Sequence, residues 1–329
     1  MPRPVCITYD STCDLTPALL ERFQIRTVPL TIQTGERIFP DDGHYTSEDL
    51  YADFHRDGTL PKTAAVSPEQ FKEFFGAILA EGFDIVHIDI SADLSGTCQN
   101  ALIAAAELET GRIHVVDSRQ LSTGGGLLAL QGAKLRDEGM AAGDIADELR
   151  RLAPHSDTSF VLDTLEYMWK GGRCSGVAAL GANVLKLKPC LEMREGKLLV
   201  CKKYRGTMER VYRQYITERL AGKTVVEDWA FITHSGGVAE DTLAQLTELV
   251  KSLAPFREVF VTQAGCTVSS HCGPGTLGVL FLRREEKEQI DNMCKPHREH
   301  RWGLHAKTDF TMAAARTEHI GRLFRDLEV

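Results

Sequence analysis

The class of fold is decided near the amino terminus by the stretch Val5-Cys6-Ile7-Thr8-Tyr9-Asp10-Ser11-Thr12, in which a short apolar run stops at a polar turn. A run of this length bounded by turn residues is typical of a buried β-strand. Similar runs cover residues 27–32, 85–90, 113–116 and 159–162. Helical patterns separate them, at residues 17–23, 48–55, 68–81, 97–109, 124–138 and 142–152. Strands that alternate with helices predict an α/β fold with a mostly parallel sheet and helices on both faces.

The second half of the chain has a different pattern. Residues 192–204 predict a hairpin that turns at Glu195-Gly196. Further strands are expected at 229–233, 258–262 and 277–282, and helices at 207–220 and 239–253. We therefore expect a two-domain protein: an N-terminal α/β domain over residues 1–165, and a second α/β domain with antiparallel pairing over 166–284. Residues 285–329, rich in charge and histidine, are expected to form a helical C-terminal appendage.

Composition excludes several classes of protein. The 329 residues are 43% hydrophobic and 26% charged, as in ordinary globular proteins. The formal net charge of -8 disfavours binding to nucleic acid, because a phosphate backbone attracts basic surfaces. No apolar run is long enough to cross a bilayer, and the N-terminus lacks the apolar stretch of a signal peptide. These features predict a cytoplasmic protein.

The cysteines predict reduced thiols rather than a structural framework. There are nine, an odd number, and none forms a C-x-x-C pair. The histidines of the appendage (His297, His300, His305 and His319) fit no standard metal-binding spacing. We therefore expect no metal site and no cofactor.

Familiar enzyme motifs fail on inspection. Residues 220–224 imitate the end of a phosphate-binding loop, but Thr217 stands where the first glycine is required. Gly124 and Gly126 lie in a G-x-G-x-x-A pattern without a following acidic strand end, so we interpret them as sites of close helix packing. Neither Ser95 nor Ser235 lies in a G-x-S-x-G elbow. These failures favour a binding protein over a catalyst.

Polar residues directly follow three of the predicted strands, as Asp10-Ser11, Asp117-Ser118 and Asp163-Thr164. A short polar side chain at a strand-to-helix turn can accept hydrogen bonds from unpaired amides of the next helix. We expect all three aspartates to be caps rather than catalytic groups.

Four glycine-bearing or hydroxyl-bearing turns remain, at residues 62–68 (KTAAVSP), 91–97 (SADLSGT), 170–173 (KGGR) and 269–276 (SSHCGPGT). Together they resemble the DegV family of bacterial fatty-acid-binding proteins, which serve as the acyl-carrying subunit of fatty acid kinase. Further matching segments are residues 10–15, 163–167, 186–189 and 275–279. The resemblance extends in matching order over about residues 3–284, which makes it far more specific than any single motif.

The resemblance implies a two-domain protein that encloses one long-chain fatty acid, such as palmitate or oleate, between its domains. Carried onto this chain, the carboxylate is held by Thr63 and Ser95, with the Gly96 amide nearby, and His271 lies close to the same head group. A partner kinase would phosphorylate the bound carboxylate to an acyl phosphate. Arg205, after the hairpin, is the expected docking residue for that kinase.

One motif departs from the family pattern. The family's Thr-Ser-Gln-Pro-Ser-Pro reads Thr-Ala-Ala-Val-Ser-Pro here, so Ala64 replaces a hydroxyl. Ser67 and Pro68 are predicted to be the cap and first residue of the following helix. Two other functions stay open on the sequence: a stand-alone acyl or phosphoryl transferase that uses Ser95 or His271, and a ligand-sensing regulator that assembles through residues 285–329.

Overall fold

Two large sheets and one small sheet organise the chain. A computed structural model describes residues 3–174 and 187–284. Its strands are β1 (Val5–Asp10), β2 (Ile25–Val28), β3 (Thr31–Thr34), β4 (Arg37–Pro40), β5 (Lys62–Ala64), β6 (Asp84–Asp89), β7 (Ile113–Asp117), β8 (Ser156–Val161), β9 (Lys188–Arg194), β10 (Lys197–Tyr204), β11 (Val225–His234), β12 (Glu258–Gln263) and β13 (Leu277–Arg283).

The helices lie between these strands. They are α1 (Pro17–Arg22), α2 (Ser47–Asp57), α3 (Pro68–Ala80), α4 (Thr97–Glu107), α5 (Thr123–Asp137), α6 (Ala142–Leu152), α7 (Glu166–Gly171), α8 (Met208–Leu220), α9 (Glu240–Leu253) and α10 (Cys266–Cys272). The predicted appendage at 285–329 lies outside the described residues. The division of the chain at residue 165 stays a prediction.

The first sheet is parallel throughout, in the order β2-β1-β6-β7. Alternate side chains of β1 enter different cores, because successive residues of a strand point to opposite faces. Ile7 and Tyr9 pack with α5 and α6, whereas Cys6 packs with α3 and α4. The expected layer of helices on both faces is therefore confirmed.

The second sheet is mixed, in the order β10-β9-β8-β13-β11-β12. Only the β11–β12 pair is parallel, so the expected antiparallel pairing is also confirmed. The strand at 156–161 corrects the sequence analysis: β8 pairs with β9 and β13, not with the parallel strands. An apolar run does not reveal which neighbours a strand takes, and here the chain changes sheets after α6.

The small third sheet, in the order β4-β3-β5, was not predicted. The run at 27–32 was expected to form one strand, but it divides into β2 and β3 around Pro29. Proline has no N–H to donate to a ladder, so a strand tends to stop there. Beyond Pro29, β3 pairs on both sides with the short strands β4 and β5.

Helix α5 joins the two large sheets through its glycines. A Cβ at Gly124 would lie 1.9 Å from the Thr158 hydroxyl of β8, and one at Gly125 would lie 1.8 Å from the Tyr9 hydroxyl of β1. Only glycine allows the helix to approach both sheets this closely. A Cβ at Gly126 would lie 2.9 Å from the Cys13 carbonyl oxygen, so the interpretation of Gly124 and Gly126 as sites of close helix packing is confirmed.

The aspartates after the strands behave in different ways. Asp10 caps a short 3-10 turn, where Oδ1 accepts from the Thr12 amide at 2.8 Å. Asp117 accepts from the Arg119 and Ala92 amides, which lie in loops rather than in a helix. Asp163 corrects the prediction, because its carboxylate forms an ion pair with Lys188. By contrast, Ser67 caps α3 as expected.

Candidate functional site

An apolar cavity of about 240 Å³ is lined by strand residues of the second large sheet and the small sheet, and by loops and helices that follow strands of the first sheet. Its apolar lining consists of Leu30, Ala65, Ile90, Leu94, Leu121, Phe160, Met168, Leu198, Val268 and Cys272. Its polar lining, as we call it below, consists of Thr63, Ser95, Gly96, Arg173, Thr267 and His271. The four residues expected to hold a carboxylate, which are far apart in the sequence, therefore line the same cavity.

Strand β5 positions Thr63. The strand pairs antiparallel with β3, and Thr63 lies opposite Ile32. The Thr63 side chain is half-buried, and its hydroxyl has no hydrogen-bond partner in the part of the chain that the structure describes. A hydroxyl in this state can donate to a ligand without breaking an internal bond.

The start of helix α4 positions Ser95 and Gly96. The Ser95 hydroxyl lies 2.8 Å from the Thr97 hydroxyl and accepts from the Thr97 amide at 3.2 Å. Gly96 is the N-cap residue, without a side-chain cap. The first amides of a helix lack intrahelical acceptors, so this end of α4 offers N–H groups to an anion.

The two hydroxyl-bearing segments are held together. The Asn100 side chain of α4 donates to the Val66 carbonyl at 2.8 Å, which ties α4 to the loop that follows Thr63. On the other side, the Ser91 hydroxyl donates to the Gly196 carbonyl of the hairpin at 2.7 Å. The segment 91–97 is thus fixed between the loop that follows β5 and the β9–β10 turn.

Helix α10 positions His271, where the sequence analysis expected a turn over 269–276. Its imidazole lies against Gly171: a Cβ there would approach Nδ1 to 2.2 Å. Nδ1 is buried and has no partner in the described structure, so Nε2 is the ring nitrogen available to a ligand. Burial, and then the nearby Arg173 charge, lower the pKa of His271 to about 4, which keeps the ring neutral at pH 7.

Two buried carboxylates fix the first turn of α10. Asp41 accepts from the Cys266 and Thr267 amides, each at 3.0 Å. Asp14 accepts from the Gly265 amide at 2.8 Å and from the Ser122 hydroxyl. Burial raises the pKa of Asp14 to about 8 and also raises that of Asp41. These contacts determine where the helix, and with it His271, lies.

Arg173 is a lining residue that the sequence analysis did not assign, although it ends the quoted segment KGGR. Its guanidinium donates to the Gly171 carbonyl at 2.7 Å and lines the cavity. The signal available in the sequence was a cation beside two glycines in a matching motif. Arg205, in contrast, is exposed just after β10 and is not among the residues that line the cavity.

A smaller cavity continues the first. The two share Leu121, Phe160, Val268 and Cys272, and the second also contacts Leu280 of β13 and Ala264. Its volume is only about 20 Å³. The four shared side chains therefore lie between the two cavities. A ligand too long for the first cavity would have to pass them to enter the second.

A separate hydrogen-bonded chain lies sealed in the core. Thr8 Oγ1 is 2.8 Å from His87 Nδ1, and His87 Nε2 is 2.9 Å from Asp89 Oδ1. All three side chains are fully buried, and Phe71 and its neighbours in α3 surround the imidazole. This hydroxyl, imidazole and carboxylate have no access to a substrate.

Residues 3–174 and 187–284 hold neither a metal-binding cluster nor a membrane-spanning helix. No cluster of three or more histidine, cysteine, aspartate or glutamate residues is placed to hold a metal ion. Among the helices of these ranges, none combines the length and the apolar character needed to span a bilayer.

The fold and the cavity define a class: α/β proteins with two large sheets and a partly open apolar cavity that also carries hydroxyl, imidazole and guanidinium groups. Comparison with known proteins identifies the family within this class. A family model described as "Uncharacterised protein, DegV family" matches residues 4–284. The chain belongs to the DegV family, as the sequence analysis predicted.

Individual relatives agree. A DegV domain-containing protein of Caldanaerobacter subterraneus is 30% identical over 283 residues, which cover 86% of this chain and 99% of the relative. A Thermus thermophilus DegV family protein, described as fatty acid binding, is 31% identical, with a TM-score of 0.77 over 85% of this chain and 100% of its own.

A second solved structure shares the fold. The Streptococcus pneumoniae fatty acid kinase B3 protein, solved with linoleic acid, has a TM-score of 0.73 at 20% identity. The match covers 86% of this chain and 100% of that protein.

Proposed function

We propose that this chain binds one long-chain fatty acid in the cavity and presents its carboxylate to a separate kinase for phosphorylation to an acyl phosphate. The observation that carries the proposal is that Thr63, Ser95, Gly96 and His271, drawn from three distant segments, line one otherwise apolar cavity. The fatty-acid-binding description of the Thermus thermophilus relative also supports it.

The apolar lining suits an acyl chain. Each buried methylene contributes about 0.8 kcal/mol, so a sixteen-carbon chain gains on the order of 10 kcal/mol before the costs of association. A 150 Å³ apolar cavity admits a ligand of benzene size, so about 240 Å³ takes only part of such a chain. The rest of the chain would extend past Phe160 and Val268 into the second cavity.

The polar lining suits a carboxylate. Thr63 and Ser95 supply hydroxyl donors, Gly96 a backbone N–H, and Arg173 a positive charge. His271 is neutral at pH 7, and its Nε2–H tautomer is the one that donates to a carboxylate oxygen. Together these groups replace the hydrogen bonds to water that the carboxylate loses in the cavity. They therefore offset most of the free-energy cost of moving the carboxylate from water into the cavity.

The chain itself would act as a carrier and not as an enzyme, with nucleotide and metal supplied by the kinase. We infer that it works in the cytoplasm, where that kinase would find its nucleotide. Arg205 is exposed and outside the cavity, so a docking partner could contact it without touching the ligand.

Mass spectrometry tests the binding step directly. The full chain is purified, denatured and extracted, and we expect a stoichiometric long-chain fatty acid in the extract. Delipidated protein should then bind palmitate or oleate again. A protein that is purified empty and takes up neither acid would refute the proposal. Acyl phosphate formation with a fatty acid kinase and ATP tests the second step; turnover without a kinase would instead identify a transferase.

A further inference from the structure

Two cysteines meet where the hairpin ladder is irregular. Strands β9 and β10 pair antiparallel, with Val200 opposite Leu191 and Lys202 opposite Cys190. Cys201 is the extra residue between these pairs, so Cys201 and Lys202 together face Cys190. Such a bulge turns its extra side chain out of the regular alternation and re-aims it.

The contacts show that the two thiols are neighbours. Cys201 Sγ lies 3.4 Å from the backbone carbonyl oxygen of Cys190, to which it donates. The Cys190 thiol donates to the Leu191 carbonyl in the same strand. Directly opposed residues of antiparallel strands have Cα atoms about 4.5–5.5 Å apart, and at this bulge Cys201 shares Cys190 with Lys202 as its opposite residue. A disulfide spans Cα separations of about 4.4–6.8 Å, so a bulge residue facing Cys190 is placed for a cross-strand link.

The two thiols differ in access and in acidity. Cys201 is exposed, whereas Cys190 is 2% exposed; the other six cysteines in the described ranges are also buried. Contact with the Cys190 thiol lowers the pKa of Cys201, and the same contact together with burial raises the pKa of Cys190. The nearby charges oppose each other, since Arg219 favours the Cys201 thiolate and Glu192 disfavours it.

We propose that Cys190 and Cys201 form a redox pair that hydrogen peroxide converts to a cross-strand disulfide. The exposed Cys201 thiolate attacks the peroxide oxygen, the O–O bond breaks, and the products are Cys201 sulfenic acid and hydroxide, which takes a proton to become water. The Cys190 sulfur then attacks the sulfenic sulfur, the S–OH bond breaks, and the Cys190 proton leaves with the hydroxide as a second water. Both sulfurs are oxidised and the peroxide is reduced.

Peptide mapping tests this pair against the other thiols. The full chain is reduced, desalted without oxygen, treated with one equivalent of hydrogen peroxide and alkylated. We expect the intact mass to fall by about 2 Da before alkylation. After trypsin, peptides 187–194 and 198–202 should migrate as one linked species that dithiothreitol separates. The melting temperature of the oxidised protein should rise, because the link restricts the unfolded chain.

Matched variants assign the roles. In C190S, Cys201 should stop at the sulfenic acid and react with dimedone; in C201S, the Cys190 thiol should remain unoxidised at the same peroxide dose. If either variant fails to fold, the tryptic peptide map of the oxidised wild-type protein decides the question. A linked species absent from that map, or disulfides scattered among the other cysteines, would overturn the proposal.

Discussion

Replacing Gly171 with alanine should weaken fatty acid binding without unfolding the protein. A Cβ at this position would lie 2.2 Å from His271 Nδ1 and 3.1 Å from Cε1. Ordinary contact begins near 3.4 Å, so the imidazole must retreat by about 1 Å or rotate away. Gly171 lies in α7 without a positive φ, so alanine suits its backbone. The strain is therefore relieved by movement of the ring.

The expected loss follows from one hydrogen bond to a charged group. Such a bond contributes about 1.5–3 kcal/mol, which corresponds to about a 10- to 150-fold rise in Kd for palmitate or oleate. The assay is calorimetric titration of delipidated protein. Gly76→Ala is the matched control, because Gly76 also lies in a helix but a Cβ there meets nothing within 4 Å. The control should keep its affinity and gain about 0.5–1 kcal/mol of stability.

A double-mutant cycle separates displacement of the ring from a general effect on packing. His271→Ala alone should also weaken binding, and it removes the atoms with which the new Cβ collides. Adding Gly171→Ala to that background should then cost nothing further. Additive losses, or wild-type affinity in a folded Gly171→Ala protein, would refute the assignment of His271 as a ligand to the carboxylate.

Three further outcomes follow from the same geometry. Ser95→Ala should raise the fatty acid Kd about 10- to 150-fold, whereas Ser67→Ala, which removes the α3 cap, should cost about 1 kcal/mol of stability and leave Kd unchanged; titrations and urea melts on both variants check this. The pKa of His271, lowered to about 4, means that the unfolded chain binds this proton between about pH 4 and 6.5, so stability rises with pH across that window; His271→Gln should flatten the rise by about 3 kcal/mol in urea melts. Arg205→Glu should leave fatty acid affinity unchanged but slow acyl phosphate formation by a fatty acid kinase by about tenfold or more, because a charge at an interface rim governs association; an unchanged rate would remove Arg205 from the docking surface.

Local pattern was sufficient for most of the fold. The apolar runs of β1, β6 and β7 and the helical patterns of α3 to α6 identified the parallel sheet. The strands carry buried residues on both faces, and α3, α4 and α6 each bury one face, whereas α5 is buried all round over its first eleven residues. The apolar runs do not show which strands pair with each other. The run that became β8 has the composition of a parallel strand, and only its antiparallel contacts with β9 and β13 assign it to the second sheet.

The candidate site was predictable only where a motif carried it. Thr63, Ser95, Gly96 and His271 came from the family resemblance, and the strand that holds Thr63 is three residues long, too short for periodicity to register. Helix α10, which holds His271, was missed because its start is fixed by residues distant in the sequence: Asp14 and Asp41 accept hydrogen bonds from its first amides. Arg173 was missed because its role depends on a cavity that no local pattern describes.

The exposure of the polar lining explains how one site could bind a fatty acid tightly and still leave its carboxylate accessible to another protein. Thr63 and Ser95 are half-buried and Gly96 is exposed, so a carboxylate among them keeps part of its hydration. The desolvation free energy of a partly hydrated carboxylate is only a fraction of that of a fully buried one. The larger share of the affinity would then come from the methylenes along Ile90, Phe160 and Leu198, and the head-group contacts would add to it and fix the orientation of the carboxylate. A carboxylate oxygen held in a fixed orientation but open to solvent would be accessible to the phosphoryl donor of a kinase. Phosphoryl transfer depends mainly on positioning the two reactants, so the carrier need not take part in the bond changes.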